Sequence, residues 1–328
     1  MDKILGMGNA LVDILATLDT DDVLRQMGLP KGSMQLIDDQ KFAQISDYFA
    51  STKTHKATGG SAGNTIVALA ALGAETGFIG KTGADGNGRF LQDSYEQRGI
   101  ECKLQTADLP TGIASTFVSS DGERTFGTHL GAAATLKAEE LGLDLFRGYT
   151  YLYIEGYLVQ DHDMILHAIQ LAKEAGLQVC LDLASYNIVE QDREFLRLIV
   201  NKYVDIVFAN EEEAKAFTGQ EADEAVGTIA EMCSIAVVKR GAQGSLVKKG
   251  SETIQMQAVR VDNVVDTTGA GDYFAAGFMY GLTAGYALER CARIGSVLAG
   301  HIVRHVGATL PADTWTDVKR DIAQALAE

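Results

Sequence analysis

The chain has 328 residues, 46% of them hydrophobic and 22% charged, which excludes a disordered polypeptide and allows a large buried core. That core is either one large α/β domain with an appendage or two domains. A net charge of −16 excludes general affinity for nucleic acid or an anionic membrane. Four isolated cysteines, Cys102, Cys180, Cys233 and Cys291, form no Cys-x-x-Cys pair and read as free thiols of a reducing compartment. No apolar run reaches the length of a membrane span. The apolar N-terminal stretch is interrupted by Asp13 and has no basic cluster ahead of it, so a cytoplasmic protein is expected.

Lys3 to Gly8 reads as a buried first strand. Gly6-x-Gly8 opens like a dinucleotide fingerprint, but its third glycine would fall at Leu11, where a strand pattern continues instead of a helix. Asp13 sits between Val12 and Ile14, where an unpaired carboxylate is costly. Either a cationic or backbone partner satisfies it, or it accepts hydrogen bonds from the hydroxyls of a polyol. Residues 14 to 55 mix short apolar and polar segments, with a helical repeat only at about Asp38 to Ala50, and suit a small β-rich lid. Gly59-Gly60 then leads into a helix from Asn64 that stops at Gly73. The glycine pair lets a small polar ligand approach the backbone and Asn64 offers a donor and an acceptor; a cap and a turn are the other reading.

Glu75 to Gly80 is strand-like, and Gly80-Lys81-Thr82 imitates the tail of a Walker loop, which fails because the loop's first glycine would be Glu75. A helix starts at Asp85-Gly86 and runs to Gly99. Thr111 to Ser119 and Glu123 to His129 are β-patterned, and Asp121-Gly122 between them is a hairpin turn that completes the lid. Beyond Tyr149, strands at Tyr151–Glu155, Gln178–Leu183, Asp205–Ala209 and Ile235–Arg240 alternate with helical patterns, as in a parallel sheet with crossover helices on both faces. Ligands gather beyond the carboxyl ends of such strands, where Asn210 and Glu213 lie. Glu211 to Glu213 also reads as a solvated helix start favoured by the dipole. Gly241 and Gly244 punctuate the loop after the next strand.

The most informative string is Asp266-Thr267-Thr268-Gly269-Ala270-Gly271-Asp272, which runs into the apolar helical pattern Tyr273 to Leu282. Glycines that open a helix leave its first N–H groups without partners at the positive end of the dipole, a ready site for a phosphate. A carboxylate at Asp272 faces the same spot, where an alcohol attacking phosphorus must lose its proton. The dipole keeps that carboxylate ionised at neutral pH, so it orients the alcohol and receives its proton late.

This string resembles the signature Asp-Thr-x-Gly-Ala-Gly-Asp of the ribokinase-like (pfkB-type) family of carbohydrate and nucleoside kinases. Gly59-Gly60-Ser61-Ala62-Gly63-Asn64 resembles its N-terminal signature, and Asn210-Glu211-Glu212-Glu213 is similar to its Asn-x-x-Glu element. The three occur in the family's order across nearly the whole chain. The resemblance implies an α/β, ribokinase-like fold: a central, mostly parallel sheet flanked by helices on both faces, with a small β-sheet lid. It implies a single kinase unit over 1–328, its lid at roughly 12–56 and 106–130. The implied activity is ATP-dependent transfer of the terminal phosphoryl group to a primary hydroxyl, by a monomer or homodimer. Asp272 would be the base, and Gly269, Ala270, Gly271 and Asp272 would offer N–H groups to the transferring charge, with Arg124 as a clamp. Asn9, Asp13, Gly59, Gly60 and Asn64 would hold the acceptor. Asn210, Gly241, Gly244, Thr267 and Ser296 would line the ATP side, and Glu213 would face Mg2+ through water. A monovalent cation such as K+ is an open addition.

Gly6 to Asp13 resembles the adenosine kinases of that family, and Tyr157 falls where they place an aromatic against the purine. Glu155 departs from them and resembles the ribokinase side, where a carboxylate reaches a sugar hydroxyl. The expected acceptor is therefore adenosine or a related nucleoside, with a free sugar as the alternative. A non-catalytic nucleotide or metabolite sensor is a third reading, disfavoured by Asp272, since a sensor needs no base.

Overall fold

A computed structural model of the chain describes residues 2–121 and 123–327. Gly122, half of the expected Asp121-Gly122 turn, lies outside the described residues. In chain order the strands are β1 (Ile4–Met7), β2 (Leu11–Thr17), β3 (Met34–Leu36), β4 (Thr54–Gly59), β5 (Thr76–Gly83), β6 (Glu101–Ala107), β7 (Gly112–Val118), β8 (Arg124–His129), β9 (Tyr151–Glu155), β10 (Gln178–Asp182), β11 (Ile206–Asn210), β12 (Ile235–Lys239), β13 (Ser245–Lys249) and β14 (Glu252–Met256). Nine of them form one sheet in the order β14-β13-β12-β11-β10-β9-β1-β5-β6, parallel from β12 to β6 and antiparallel at β13 and β14. The other five form a smaller sheet in the order β3-β8-β7-β2-β4.

The central strands are continuous apolar runs because helices cover both of their faces. On one face Leu5, Met7, Leu152, Ile154, Leu181 and Val207 pack with apolar residues of the helices His162–Glu174, Arg193–Tyr203 and Glu211–Thr218. On the other, Ile4, Phe78, Tyr153, Phe208 and Val237 meet the helices Ser61–Leu72, Ala270–Thr283 and Leu288–Ile302. Each such side chain, fully withdrawn from water, contributes about 1.5–3 kcal/mol. The helices Ala270–Thr283 and Leu288–Ile302 touch backbone to backbone: a Cβ on Gly277 would lie 2.8 Å from Gly295 Cα.

The smaller sheet has its own core, in which Leu24, Ile45 and Phe49 of the helices Asp22–Met27 and Asp39–Ala50 pack on Ala16 and Phe117. It joins the large sheet at the carboxyl end of β1, since β2 follows β1 after three residues and β4 leads directly into the helix Ser61–Leu72. The expected strands and helices occur within a few residues of their sequence-derived bounds. Beyond them lie β6, the β13–β14 hairpin and the helices Ala222–Ala230 and Thr314–Ala327. β6 and β14 are partly exposed edge strands, so they carry no continuous apolar run. Gly80-Lys81-Thr82 lies within β5, and Lys81 Nζ pairs with Glu140 Oε1 at 2.7 Å, which agrees with rejecting a Walker loop. All four cysteines are free, and among the described residues no helix is long and apolar enough to cross a membrane.

Candidate active site

Gly269 adopts a left-handed conformation (φ 78°) at the N-cap of the helix Ala270–Thr283 and supplies no capping side chain. The Ala270 N–H turns back to Thr267 O at 3.1 Å, whereas those of Gly269, Gly271 and Asp272 take no acceptor among the described residues. Three free N–H groups at the positive end of a helix constitute an anion site. Asp266 braces the turn: Oδ1 accepts from Thr268 N at 3.0 Å and Thr268 Oγ1 at 2.8 Å, and Oδ2 accepts from Gly307 N at 2.8 Å.

The Asp272 carboxylate is held from the facing helix Ser61–Leu72. Ser61 Oγ donates to Oδ1 at 2.8 Å and Asn64 Nδ2 to Oδ2 at 2.9 Å. Burial raises its pKa to about 6, against the lowering effect of these two hydrogen bonds and of Lys239. Asp272 is thus ionised at neutral pH, as its place on the dipole suggests, yet more basic than an ordinary aspartate.

On the β1 side two of the expected acceptor ligands, Asn9 and Glu155, bond to each other. Glu155 is 1% exposed and both its oxygens serve the protein: Oε1 accepts from Asn9 N at 2.8 Å and Asn9 Nδ2 at 2.7 Å, and Oε2 accepts from Ala62 N at 2.8 Å. It ties the β1–β2 connection to the first turn of the helix Ser61–Leu72, and Asn9 gives one of its two side-chain N–H donors to that tie. A Cβ on Gly8 would come within 2.5 Å of Glu155 Oε2, so the tie also demands glycine there. Gly59 and Gly60 likewise make room for protein groups. A Cβ on Gly59 would strike the Asp13 carboxylate, and one on Gly60 (φ 85°) would strike the Asn9 carbonyl.

Asp13 accepts no hydrogen bond from the described residues, which favours the ligand-binding alternative for it. Burial pushes its pKa up to about 7, with Arg124 opposing and Asp272 adding. Asn64 Oδ1 is buried without a partner and so keeps an acceptor to offer. Arg124 is buried beside the anion turn. Its Nη1 pairs with Asp266 Oδ2 at 3.0 Å, both side chains being 7% exposed, and joins β8 of the smaller sheet to the anion turn. Its Nη2 is buried and unpartnered.

A cavity of about 770 Å³ opens between Asp272 and the helix Leu288–Ile302. Tyr157, Asn210, Glu213, Gly241, Gly244, Thr267, Gly271, Asp272 and Ser296 all line it, whereas Asn9, Asp13, Gly59, Gly60, Asn64, Arg124 and Glu155 do not. Tyr157 is half-buried, its hydroxyl donating to Ala184 O at 3.3 Å. Glu213, on the cavity wall, also closes a reciprocal helix cap. Its oxygens accept from Asn210 N at 2.8 Å and Asn210 Nδ2 at 2.7 Å, while Asn210 Oδ1 accepts from Glu213 N at 2.8 Å. Among the described residues no three His, Cys, Asp or Glu side chains converge as a metal cage.

Three residues of the site were not singled out from the sequence: Ser61, Asp182 and Lys239. Ser61 was visible as a hydroxyl ahead of a helix inside the Gly59–Asn64 string. Asp182 and Lys239 were visible as charges closing two apolar strands, β10 and β12. Lys239 Nζ donates to Asp182 Oδ2 at 2.8 Å. Burial disfavours its charge, but Asp182, Glu213 and Asp272 around it outweigh that and leave its pKa raised.

The pfkB family carbohydrate kinase model matches residues 33–315. Among solved structures, a probable sugar kinase from Rhizobium etli superposes with a TM-score of 0.87 at 32% identity, over 98% of this chain and 99% of that one. Adenosine kinase from Sinorhizobium meliloti superposes with a TM-score of 0.86 at 33% identity over the same shares. Adenosine kinase of Saccharomyces cerevisiae is 29% identical over 330 residues, covering 94% of this chain and 96% of its own length. With its free anion turn, its held carboxylate and these likenesses, the chain belongs to the pfkB family of carbohydrate kinases and is an ATP-dependent kinase.

Proposed function

We propose that the acceptor is the 5′-hydroxyl of adenosine or a related nucleoside. The observation that carries this reading is the state of Glu155: the residue feature that favoured a free sugar is 1% exposed and accepts three hydrogen bonds from Asn9 and Ala62. Tyr157, by contrast, keeps a face on the cavity, where an aromatic suits a flat base. The likeness to adenosine kinases supports the same reading.

The acceptor hydroxyl lies against Asp272, with Asp13 and Asn64 Oδ1 receiving other hydroxyl groups of the ligand. Ser61 and Asn64 fix the Asp272 carboxylate so that it orients the attacking oxygen and takes its proton as the oxygen–phosphorus bond forms. The free N–H groups of Gly269, Gly271 and Asp272 hold the charge on the transferred group. Magnesium bound with the triphosphate would offset phosphate charge. Glu213, on the cavity wall with one Asn210 donor on each oxygen, would face it through water. The smaller sheet acts as the lid, and Arg124 is its contact to the anion turn; closure excludes water as a competing acceptor.

A magnesium- and ATP-dependent ADP-release assay across adenosine, inosine, guanosine, cytidine, ribose and fructose tests the acceptor. Turnover of nucleosides without turnover of free ribose is the expected result. Turnover of free sugars alone would move the protein to the side of its likeness to the Rhizobium etli sugar kinase.

A further inference from the structure

We infer that Lys239 is a further catalytic residue, whose ammonium contacts the terminal phosphoryl group of the triphosphate. The inference rests on the phosphotransfer reading of the site but not on which acceptor it uses.

Lys239 ends β12 on the wall of the cavity, and its side chain is 14% exposed. Its position is defined by Gly271, where a Cβ would lie only 3.1 Å from Lys239 Nζ. The ammonium therefore abuts the residue whose free N–H forms part of the anion turn. One of its three protons goes to Asp182 Oδ2 at 2.8 Å, and no other protein acceptor is present among the described residues. Asp182 is itself fixed, its side chain 4% exposed, accepting from Tyr153 Oη at 3.2 Å and Ala184 N at 3.1 Å. Ala184 holds φ 63°, the one left-handed non-glycine residue among those described, so the brace behind Lys239 is built at a conformational cost.

The other cations near the site are committed elsewhere or solvated. Arg124 is paired with Asp266. Arg240 turns to Asp223. Arg260 lines the cavity mouth with its side chain 93% exposed and pairs with Asp262. Asp182, Glu213 and Asp272 would together repel a triphosphate; Lys239 is the fixed cation among them, in a chain of net charge −16. In the transfer step the acceptor oxygen bonds to the γ-phosphorus and the bond from that phosphorus to the β–γ bridging oxygen breaks. Its electron pair stays on the departing ADP, and the acceptor proton passes to Asp272. Lys239 keeps all its protons and stabilises charge on the group in flight.

The competing role is a structural one, in which Lys239 only neutralises Asp182. Three variants separate the two: Lys239→Met, Lys239→Arg, and the double variant Asp182→Asn with Lys239→Met, which leaves no orphaned charge if the single variant misfolds. Equilibrium binding of ATP and of ADP is measured alongside kcat and KM. In the double variant, ATP affinity is expected to fall about tenfold with ADP affinity nearly unchanged, because a lost charge-assisted contact to the γ-phosphate spares ADP. Its kcat should fall about 100-fold with acceptor KM unchanged, and Lys239→Arg should recover part of that loss. Equal weakening of ATP and ADP, or a double variant with wild-type kcat, would overturn the inference. A wild-type protein silent on the acceptor panel would count against the acceptor reading alone, since the ATP-to-ADP affinity ratio still decides the role of Lys239.

Discussion

Glu155 and Asp272 meet the same first turn of the helix Ser61–Leu72, one from β9 and the other from the helix Ala270–Thr283, and they are used in opposite ways. Glu155 is sealed, with three donors on its two oxygens, two of them backbone N–H groups. Asp272 is held by two side chains, one per oxygen, and lines the cavity. A buried carboxylate held largely by main chain away from the cavity serves to fix geometry, whereas one positioned by side chains on the cavity wall is placed for chemistry. Burial raises both pKa values, to about 7 for Glu155 and about 6 for Asp272, so the shift alone does not distinguish them.

The sharpest test of this contrast is Asp272→Asn. It should lower kcat by about 10³-fold while ATP binding and thermal stability stay near wild type. An unchanged kcat would remove Asp272 from its role and dissolve the comparison.

Glu155→Ala should do the reverse. With three buried donors unpaired it is expected to cost about 3 kcal/mol of folding stability in urea titrations, while the folded fraction retains most of its kcat. The pH dependence sharpens this further. The folded Glu155 carboxyl is raised from 4.5 to about 7, so the folded state holds a proton that the unfolded state releases. Its contribution to stability is full below about pH 4.5 and is lost as pH rises through about 7, and Glu155→Ala should remove that slope.

Ser61→Ala, which withdraws one donor from Asp272 without disturbing Glu155, should reduce kcat by roughly tenfold. The smallest effect is on the position of the acidic limb. Wild-type kcat should fall as pH drops through about 6, and in Ser61→Ala this limb should move to higher pH because the ionised carboxylate has lost a hydrogen bond. A limb that stays in place would mean that Ser61 does not tune the base.

Much of the scaffold was legible because it rests on local rules. Apolar runs such as Tyr151–Glu155 and Ile206–Asn210, separated by amphipathic helices, announce a parallel sheet buried on both faces. The anion turn was legible for the same reason, since Gly269 and Gly271 act on the backbone within a few residues of themselves. β6 and β14 escaped because edge strands lie partly in water and need no apolar run. The protein contacts of Glu155, Arg124 and Glu213 were not legible because each depends on a partner that motif spacing does not specify. Glu155 finds Asn9 across 146 residues and Ala62 across 93. Arg124 finds Asp266 only because the smaller sheet folds over the turn. Glu213 has a local partner, yet the same Asn-x-x-Glu spacing suits both a reciprocal cap and a metal-side element.

By itself the sequence determined the strand–helix alternation, the glycine-opened helix at Ala270 and the carboxylate Asp272 in its first turn, because propensity, backbone freedom and helix dipole act over one or two turns of chain. Only the tertiary structure decided which charges are spent on one another and which still face the cavity. Hydrogen bonds and ion pairs are satisfied by whatever side chain arrives within about 3 Å, and that is settled by the packing of distant segments. Lys239, unremarkable at the end of an apolar strand, became the fixed cation of the site in this way, when β12 brought it beside Gly271 and Asp182.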